Sequence, residues 1–143
     1  MSGFPVRPGF TNLLRLAALG VQYRPFTGWG TVVGHWGTQP TTATPTIVEW
    51  PLHTGIKGAG QYEITFQYEQ GRSRYEIHAV EIVQDGKVLA TDKHFGFTGA
   101  SDQNNVYRVE LPRVSTAPLI LRASVSTDWG PDSHGRIVVE KLP

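Results

Sequence analysis

The stretch Gly60-Gln61-Tyr62-Glu63-Ile64-Thr65-Phe66-Gln67-Tyr68-Glu69 decides the fold class of this 143-residue chain. From Tyr62 onward, large apolar side chains alternate with polar ones. Successive side chains of an extended strand point to opposite faces, so the apolar residues share one face and the polar residues share the other. The stretch therefore predicts a β-strand in a sheet with one buried and one solvated face.

Further strands are predicted where short runs of β-branched and aromatic residues end in turn residues. Asp85-Gly86 separates two of these runs and is typical of a two-residue hairpin turn, in which both residues take positive φ. The pattern predicts an all-β chain, an antiparallel β-sandwich of the jelly-roll kind. The expected strands span residues 31–35, 46–50, 60–69, 75–84, 87–94, 106–111, 119–126 and 136–141.

Most of the large aromatic residues are expected in the core. We expect this of five residues at inward strand positions: Trp50, Tyr62, Phe66, Tyr68 and Tyr107. Trp29 and Trp36 flank the first strand, where either ring could cover the sandwich edge or lie in a groove.

Residues 1–30 differ from the rest and are expected to form an N-terminal extension to a sandwich at 31–143. Good helix formers span 12–19 and Gly20 follows them, which predicts one short N-terminal helix. Its apolar residues would surround the helix almost completely, so it would need packing partners on several sides.

Composition argues against several classes of protein. Thirteen basic and twelve acidic residues give a net charge of +1, and the basic residues are scattered, so no nucleic-acid partner is expected. The longest apolar run is far shorter than the roughly 20 residues of a membrane span, and the start shows no signal-peptide pattern. The chain has no cysteine, which excludes disulfides and thiolate metal sites.

The chain from Trp50 to its end resembles the C-terminal β-sandwich accessory module of bacterial hexosaminidase-like glycoside hydrolases. Segment 16–25 is similar to the end of the barrel domain that precedes this module, which would explain an apolar helix without partners. The resemblance rests on Gly58-Ala59-Gly60-Gln61-Tyr62, Phe66-Gln67-Tyr68 with Gly71, Val80-Glu81-Ile82 with Asp85-Gly86-Lys87, Asp92-Lys93-His94-Phe95-Gly96-Phe97-Thr98-Gly99, Asn104-Asn105-Val106-Tyr107 and Asp132-Ser133-His134-Gly135.

The resemblance implies a non-catalytic carbohydrate-binding module. Its partners would be a glycan or polysaccharide and a catalytic glycoside hydrolase domain in the parent chain, and its location would be secreted or periplasmic. A shared fold does not by itself establish a shared function. Two alternatives stay open: a structural brace for the catalytic domain, or a jelly-roll protein that assembles into a homo-oligomer without a glycan ligand.

Sugar-binding sandwiches use flat rings against pyranose C–H faces, with polar side chains at the rim. Trp129 lies in a polar loop and is either an exposed platform or a ring packed on a neighbouring loop. The loop 92–105, with His94, Phe95 and Phe97 among glycines, is the second candidate, although tight turns and local Asx hydrogen bonds are the favoured explanation for any single residue there. The candidate ligand-binding residues are Trp129, His94, Phe97, Asp132, His134 and Asp102.

No enzyme is expected, because the chain has no nucleophile elbow, no phosphate-binding loop and no assignable carboxylate pair. No cofactor is expected either. The five histidines lack zinc-motif spacing. Structural calcium is the remaining metal hypothesis, with oxygen ligands from Asp128, Asp132 and Ser133 and from Asp102 or Asn104, although short Asp/Ser loops are more often turns.

Overall fold

The computed structural model describes residues 30–37, 42–128 and 132–143. The predicted helix at 12–19, Trp29 and Trp129 lie outside these residues. Within them, no helix is long and apolar enough to cross a membrane. The nine strands of this part are β1 (Thr31–Trp36), β2 (Thr46–Leu52), β3 (Gly60–Gln70), β4 (Tyr75–Gln84), β5 (Lys87–Asp92), β6 (Gly96–Thr98), β7 (Val106–Leu111), β8 (Leu119–Thr127) and β9 (His134–Lys141).

The strands form two antiparallel sheets. Sheet A has the order β1-β9-β3-β7, and sheet B has the order β2-β8-β4-β5 with β6 also paired to β4. Each of the eight predicted strands is present within a few residues of its expected bounds. The all-β antiparallel prediction is therefore confirmed for the described residues, and β6 is an additional strand inside the predicted loop 92–105.

The inward faces of both sheets contribute to one hydrophobic core. Trp50 of sheet B meets Phe66 of sheet A edge to face, with ring centroids 6.1 Å apart, and Phe66 meets Tyr107 in the same way at 5.8 Å. Burying a large apolar side chain stabilises a fold by about 1.5–3 kcal/mol. The shared core gives the described part of the chain its β-sandwich character.

The aromatic residues expected in the core are buried with one exception. Tyr68 is 37% exposed, so its assignment to the core was wrong. It lies where the pairing of β3 with β9 becomes irregular, and its hydroxyl donates to the Gly71 carbonyl 2.5 Å away. Trp36 is fully buried, and its indole N–H donates to the Gln67 carbonyl, so its ring belongs to the core.

The hairpin between β4 and β5 has the predicted two-residue turn. Asp85 and Gly86 have φ values of 53° and 76°. Positive φ at both positions is the requirement of a type I′ turn, whose twist matches that of the flanking strands. The local sequence therefore fixes how β4 and β5 pair.

A β-bulge in β4 changes which of its residues face outward. Ile77 pairs with Val125 of β8 and Ala79 pairs with Ser124, so His78 is an extra residue between two pairs. Ile77 and Val80 are both fully buried, which places His78 and Ala79 together on the outer face of sheet B. The bulge thus brings an imidazole to a solvated sheet face.

Candidate functional site

The loop between β5 and β7 holds His94 in a closed set of contacts. The His94 ring places Nδ1 2.7 Å from an oxygen of Asp92 and Nε2 2.8 Å from the Asn104 carbonyl. It also stacks on Tyr107 with ring centroids 4.1 Å apart and an angle of 9° between the planes. Both ring nitrogens and one ring face are therefore engaged within the protein.

Asp92 completes this arrangement. Its second carboxylate oxygen accepts from the Arg108 amide at 3.0 Å, while the first accepts from His94. Burial raises the pKa of Asp92, but the hydrogen bonds from Arg108 and His94 outweigh it, and the pKa lies below its usual value. Burial together with the Asp92 charge raises the pKa of the Tyr107 phenol, which donates to the Ile77 carbonyl. These contacts tie the loop to the sandwich.

At the short strand β6, Gly96 faces inward and its two neighbours face outward. A Cβ on Gly96 would lie 2.0 Å from the Asn104 carbonyl oxygen and 2.8 Å from the Tyr107 hydroxyl, so only glycine fits this inward position. The residues on either side, Phe95 and Phe97, then point the opposite way, as strand alternation requires. Phe97 pairs with Glu76 of β4, which places it on the outer face of sheet B.

Six side chains meet on this outer face, and we name them the Phe95 cluster. Phe95 is 47% exposed, and its ring lies 5.2 Å from that of His78 and 6.3 Å from that of Phe97. The Arg74 guanidinium lies 4.5 Å above the Phe97 ring. The members of the cluster are Arg74, Glu76, His78, Phe95, Phe97 and Ser126.

Hydrogen bonds fix the polar members. Glu76 accepts from Arg74 Nε at 3.1 Å and from Nη2 at 2.8 Å, both through Oε2, and accepts from the Ser126 hydroxyl at 3.0 Å through Oε1. Because the hydroxyl has one proton and gives it to Glu76, His78 Nε2, 2.8 Å away, donates to Ser126. The network sets the orientation of the His78 ring beside Phe95.

Serine, histidine and glutamate are the residue types of a hydrolase triad, but their order here differs. In a triad the carboxylate bonds the histidine, which in turn bonds the serine. Here Glu76 bonds the serine, and Ser126 is only 1% exposed. The cluster therefore lacks triad geometry and places its rings, not its hydroxyl, toward solvent.

A row of short side chains continues from the cluster across sheet B. Ala79 pairs with Ser124 on the neighbouring strand, and Ser124 pairs with the exposed Ile47 of edge strand β2. The row beside it is charged: Arg122 contacts Glu49 at 3.0 Å and Glu81 at 3.5 Å. The outer face therefore combines exposed rings, short residues and paired charges, which suits an extended polar ligand with apolar faces.

Two acidic residues of the segment between β8 and β9 accept hydrogen bonds from main-chain amides. Asp132 accepts from the amides of Arg72 and Ser73, and Asp128 accepts from the amide of Arg74 at 2.7 Å. Hydrogen bonds from the Ser73 side chain and amide, with a further one from Arg72, lower the pKa of Asp132. Asp128 thus adjoins the Phe95 cluster through the backbone of Arg74.

The remaining predicted site residues lie in separate places. Asp102 accepts from the Thr98 hydroxyl at 2.7 Å within the β6–β7 loop, near Phe97. His134 begins β9 in sheet A, where its ring lies 3.9 Å from a carboxylate oxygen of Glu69. Trp129 lies outside the described residues. Among the predicted residues that the structure describes, Phe97 alone belongs to the Phe95 cluster.

Phe95 lies in the predicted candidate loop, but Phe95, His78, Arg74 and Glu76 were not among the predicted ligand-binding residues. One signal was present, because Phe95-Gly96-Phe97 has the two-residue spacing that puts both rings on one face of a strand. No sequence pattern indicated that His78 faces outward, because its position depends on the β-bulge in β4.

The calcium hypothesis stays a prediction. Over residues 30–37, 42–128 and 132–143, no group of three or more histidine or acidic side chains could hold a metal ion. Asp102, Asp128 and Asp132 accept from separate donors, as described above.

No protein-family model matches this chain, and no curated protein matches it.

Proposed function

We propose that this chain is a non-catalytic carbohydrate-binding module that binds a glycan at the Phe95 cluster on the outer face of sheet B. The observation that carries the proposal is the exposure of Phe95 beside His78 and Phe97. An exposed apolar ring next to fixed hydrogen-bonding groups matches the two faces of a sugar, which has apolar C–H surfaces and a polar rim.

The polar groups around the rings support the same ligand class. Carboxylate oxygens accept from sugar hydroxyls, and a guanidinium has five N–H donors of which two serve Glu76. Because strands and a strand-like loop hold these groups, the site is largely formed before a ligand arrives. A preformed site saves part of the entropy of binding.

We further propose that the sandwich is a jelly roll. Setting β6 aside, eight strands divide four to a sheet, and the chain changes sheet at every connection except the β4–β5 hairpin. Eight strands that wrap as two Greek keys across two sheets define that fold. The four-strand orders β1-β9-β3-β7 and β2-β8-β4-β5 support this assignment.

The role of such a module would be to raise the local concentration of glycan near a catalytic domain. Two linked binding units gain effective concentration without any new contact. The glycoside hydrolase partner and the secreted or periplasmic location come from the sequence resemblance alone and are part of this proposal.

A structural brace is the second candidate, and the outer face of sheet A favours it. Val32, Val138, Thr65 and Val106 lie side by side in one row across the four strands. Val32 is 44% exposed and Val106 37% exposed at the two ends of the row. Val138 in the middle of the row is only 4% exposed, so the exposed apolar surface lies at the two ends, and exposed apolar patches are typical of docking surfaces. A homo-oligomer would use the same row, and sedimentation of the purified chain would reveal it.

Titration calorimetry with neutral oligosaccharides, including chitin-type and galactose-type fragments, tests the first candidate. Phe95→Ala is expected to weaken binding by about fivefold or more, since stacking contacts of aromatic rings contribute about 1 kcal/mol or more each. Tyr68→Ala is the matched control, because it removes an exposed ring from sheet A. Trp129→Ala tests the remaining predicted platform.

Flat traces for the unmodified chain across the panel would remove the carbohydrate proposal and leave the brace. Equal losses in Phe95→Ala and Tyr68→Ala would contradict the location of the site.

A further inference from the structure

We infer that the Phe95 cluster selects uncharged glycans and rejects uronic-acid or sulfated ones, an inference that rests on the proposed carbohydrate-binding function. The basis is the way in which the charges on the outer face of sheet B are paired. Anionic sugars bind through cations, arginine above all, because its planar N–H donors match a carboxylate or sulfate.

The two arginines that the structure describes on this face, Arg74 and Arg122, are already paired. Arg74 makes two hydrogen bonds to a single oxygen of Glu76, and its flat side rests on the Phe97 ring. Arg122 lies between Glu49 and Glu81, at 3.0 and 3.5 Å. An anionic ligand could engage either guanidinium strongly only by displacing a glutamate.

Displacement would be unfavourable at Glu76 in particular. Its side chain is only 16% exposed. The Arg74 side chain is 42% exposed, so the pair is only partly desolvated, but removing Arg74 would still leave the largely buried Glu76 charge poorly compensated. An anion at Arg74 would therefore leave Glu76 with only the Ser126 hydroxyl of its present partners.

The charges of this face offer an anion no net attraction. Arg74 and Arg122 contribute +2, Glu49, Glu76 and Glu81 contribute −3, and the exposed Lys93, two residues before Phe95, contributes +1, so these six side chains sum to 0. Each carboxylate disfavours a nearby anion by about 1 kcal/mol at 4 Å even in water. Neutral hydroxyls meet no such repulsion and can donate to the carboxylates.

The test is calorimetric titration of the full chain at low salt with neutral oligosaccharides and with uronate oligosaccharides of matched length. We expect neutral glycans to bind and uronates to bind at least about fivefold more weakly. Glu76→Gln is the informative variant, because it removes one carboxylate and frees the Arg74 charge. Its uronate affinity is expected to rise several-fold, and Glu110→Gln on β7 is the matched control with the same change in net charge.

The outcomes separate the two proposals. Uronate binding as tight as neutral binding in the unmodified chain overturns the selectivity and leaves carbohydrate binding intact. The absence of any binding overturns both. Equal gains in Glu76→Gln and Glu110→Gln would show that net charge acts and the Arg74 pair does not, which also overturns the inference. Thermal unfolding of each variant checks that it folds.

Discussion

His94 and Phe95 are neighbours in the chain, yet the two sides of their loop differ in what surrounds them. The inward side, with Asp92, His94 and Tyr107, is closed by hydrogen bonds and a ring stack. The outward side exposes Phe95 beside His78. Polar residue types made His94 the expected ligand contact, whereas the structure gives its polar atoms partners already. A polar residue type alone therefore does not identify a ligand-binding residue, because its polar atoms can already have partners within the protein.

Gly96 separates the two sides, and its replacement should have the largest effect. Gly96→Ala would place a Cβ against the Asn104 carbonyl oxygen, and the loop would have to move. We expect a loss of about 3 kcal/mol in the free energy of unfolding, in the upper range for single substitutions. Urea denaturation measures it. Gly58→Ala is the control, with positive φ but open space around it, and should lose about 1 kcal/mol.

His94→Ala should separate stability from binding. Loss of the stack on Tyr107 and of both hydrogen bonds leaves Asp92 and the Asn104 carbonyl with fewer partners, at a cost of about 2 kcal/mol. Glycan affinity at the Phe95 cluster should change by less than about threefold, because the His94 ring bonds Asp92 and the Asn104 carbonyl and stacks on Tyr107, none of which belongs to the cluster. A large loss of glycan affinity with unchanged stability would contradict this prediction and would identify His94 as a ligand contact.

The inward side should also make stability depend on pH. The pKa of Asp92 is lower in the folded chain than its usual value, and so is that of Asp132. A lowered pKa contributes stability that is present above the unfolded value, about 4, and is lost as pH falls through the folded value. Melting temperature should therefore fall below about pH 4. Asp92→Asn should flatten part of that fall, and Asp85→Asn, in the exposed hairpin turn, should not.

The smallest effect is expected in the core. The Tyr75 hydroxyl is buried and has no hydrogen-bond partner in the described part of the chain. Burial raises its pKa. A buried polar group without a partner is unfavourable by about 1–3 kcal/mol, so Tyr75→Phe should raise stability by about 1 kcal/mol or leave it unchanged. A loss above about 1 kcal/mol would show that the hydroxyl has a partner, such as an internal water.

The strands could be predicted because their signal is local. Alternation over ten residues identified β3, and Asp85-Gly86 identified the hairpin, each from neighbouring residues alone. The pairing of Glu76 with Ser126 and with Phe97 is set by strand register between distant segments. Nothing near Glu76 in sequence indicates either partner, so the cluster they form was not predicted.

Two of the predicted site residues show the same limit of prediction from sequence. His94 and Asp132 carry the right chemistry for a ligand, but main-chain groups engage both of them, namely the Asn104 carbonyl and the Arg72 and Ser73 amides, in addition to side-chain bonds with Asp92 and Ser73. Main-chain groups are the same at every position, so a sequence gives no sign of which will be near. Phe95 was open to prediction through its spacing from Phe97.

The bulge in β4 means that this strand is one residue longer than its core requires. Without His78, the buried residues Tyr75, Ile77, Val80 and Ile82 would alternate strictly, and each would keep its inward position. Deletion of His78 would therefore shorten the chain while preserving the hydrophobic pattern, and would remove one ring from the outer face. Relatives of this protein that differ in length by one residue here would share its interior and differ in the surface they present.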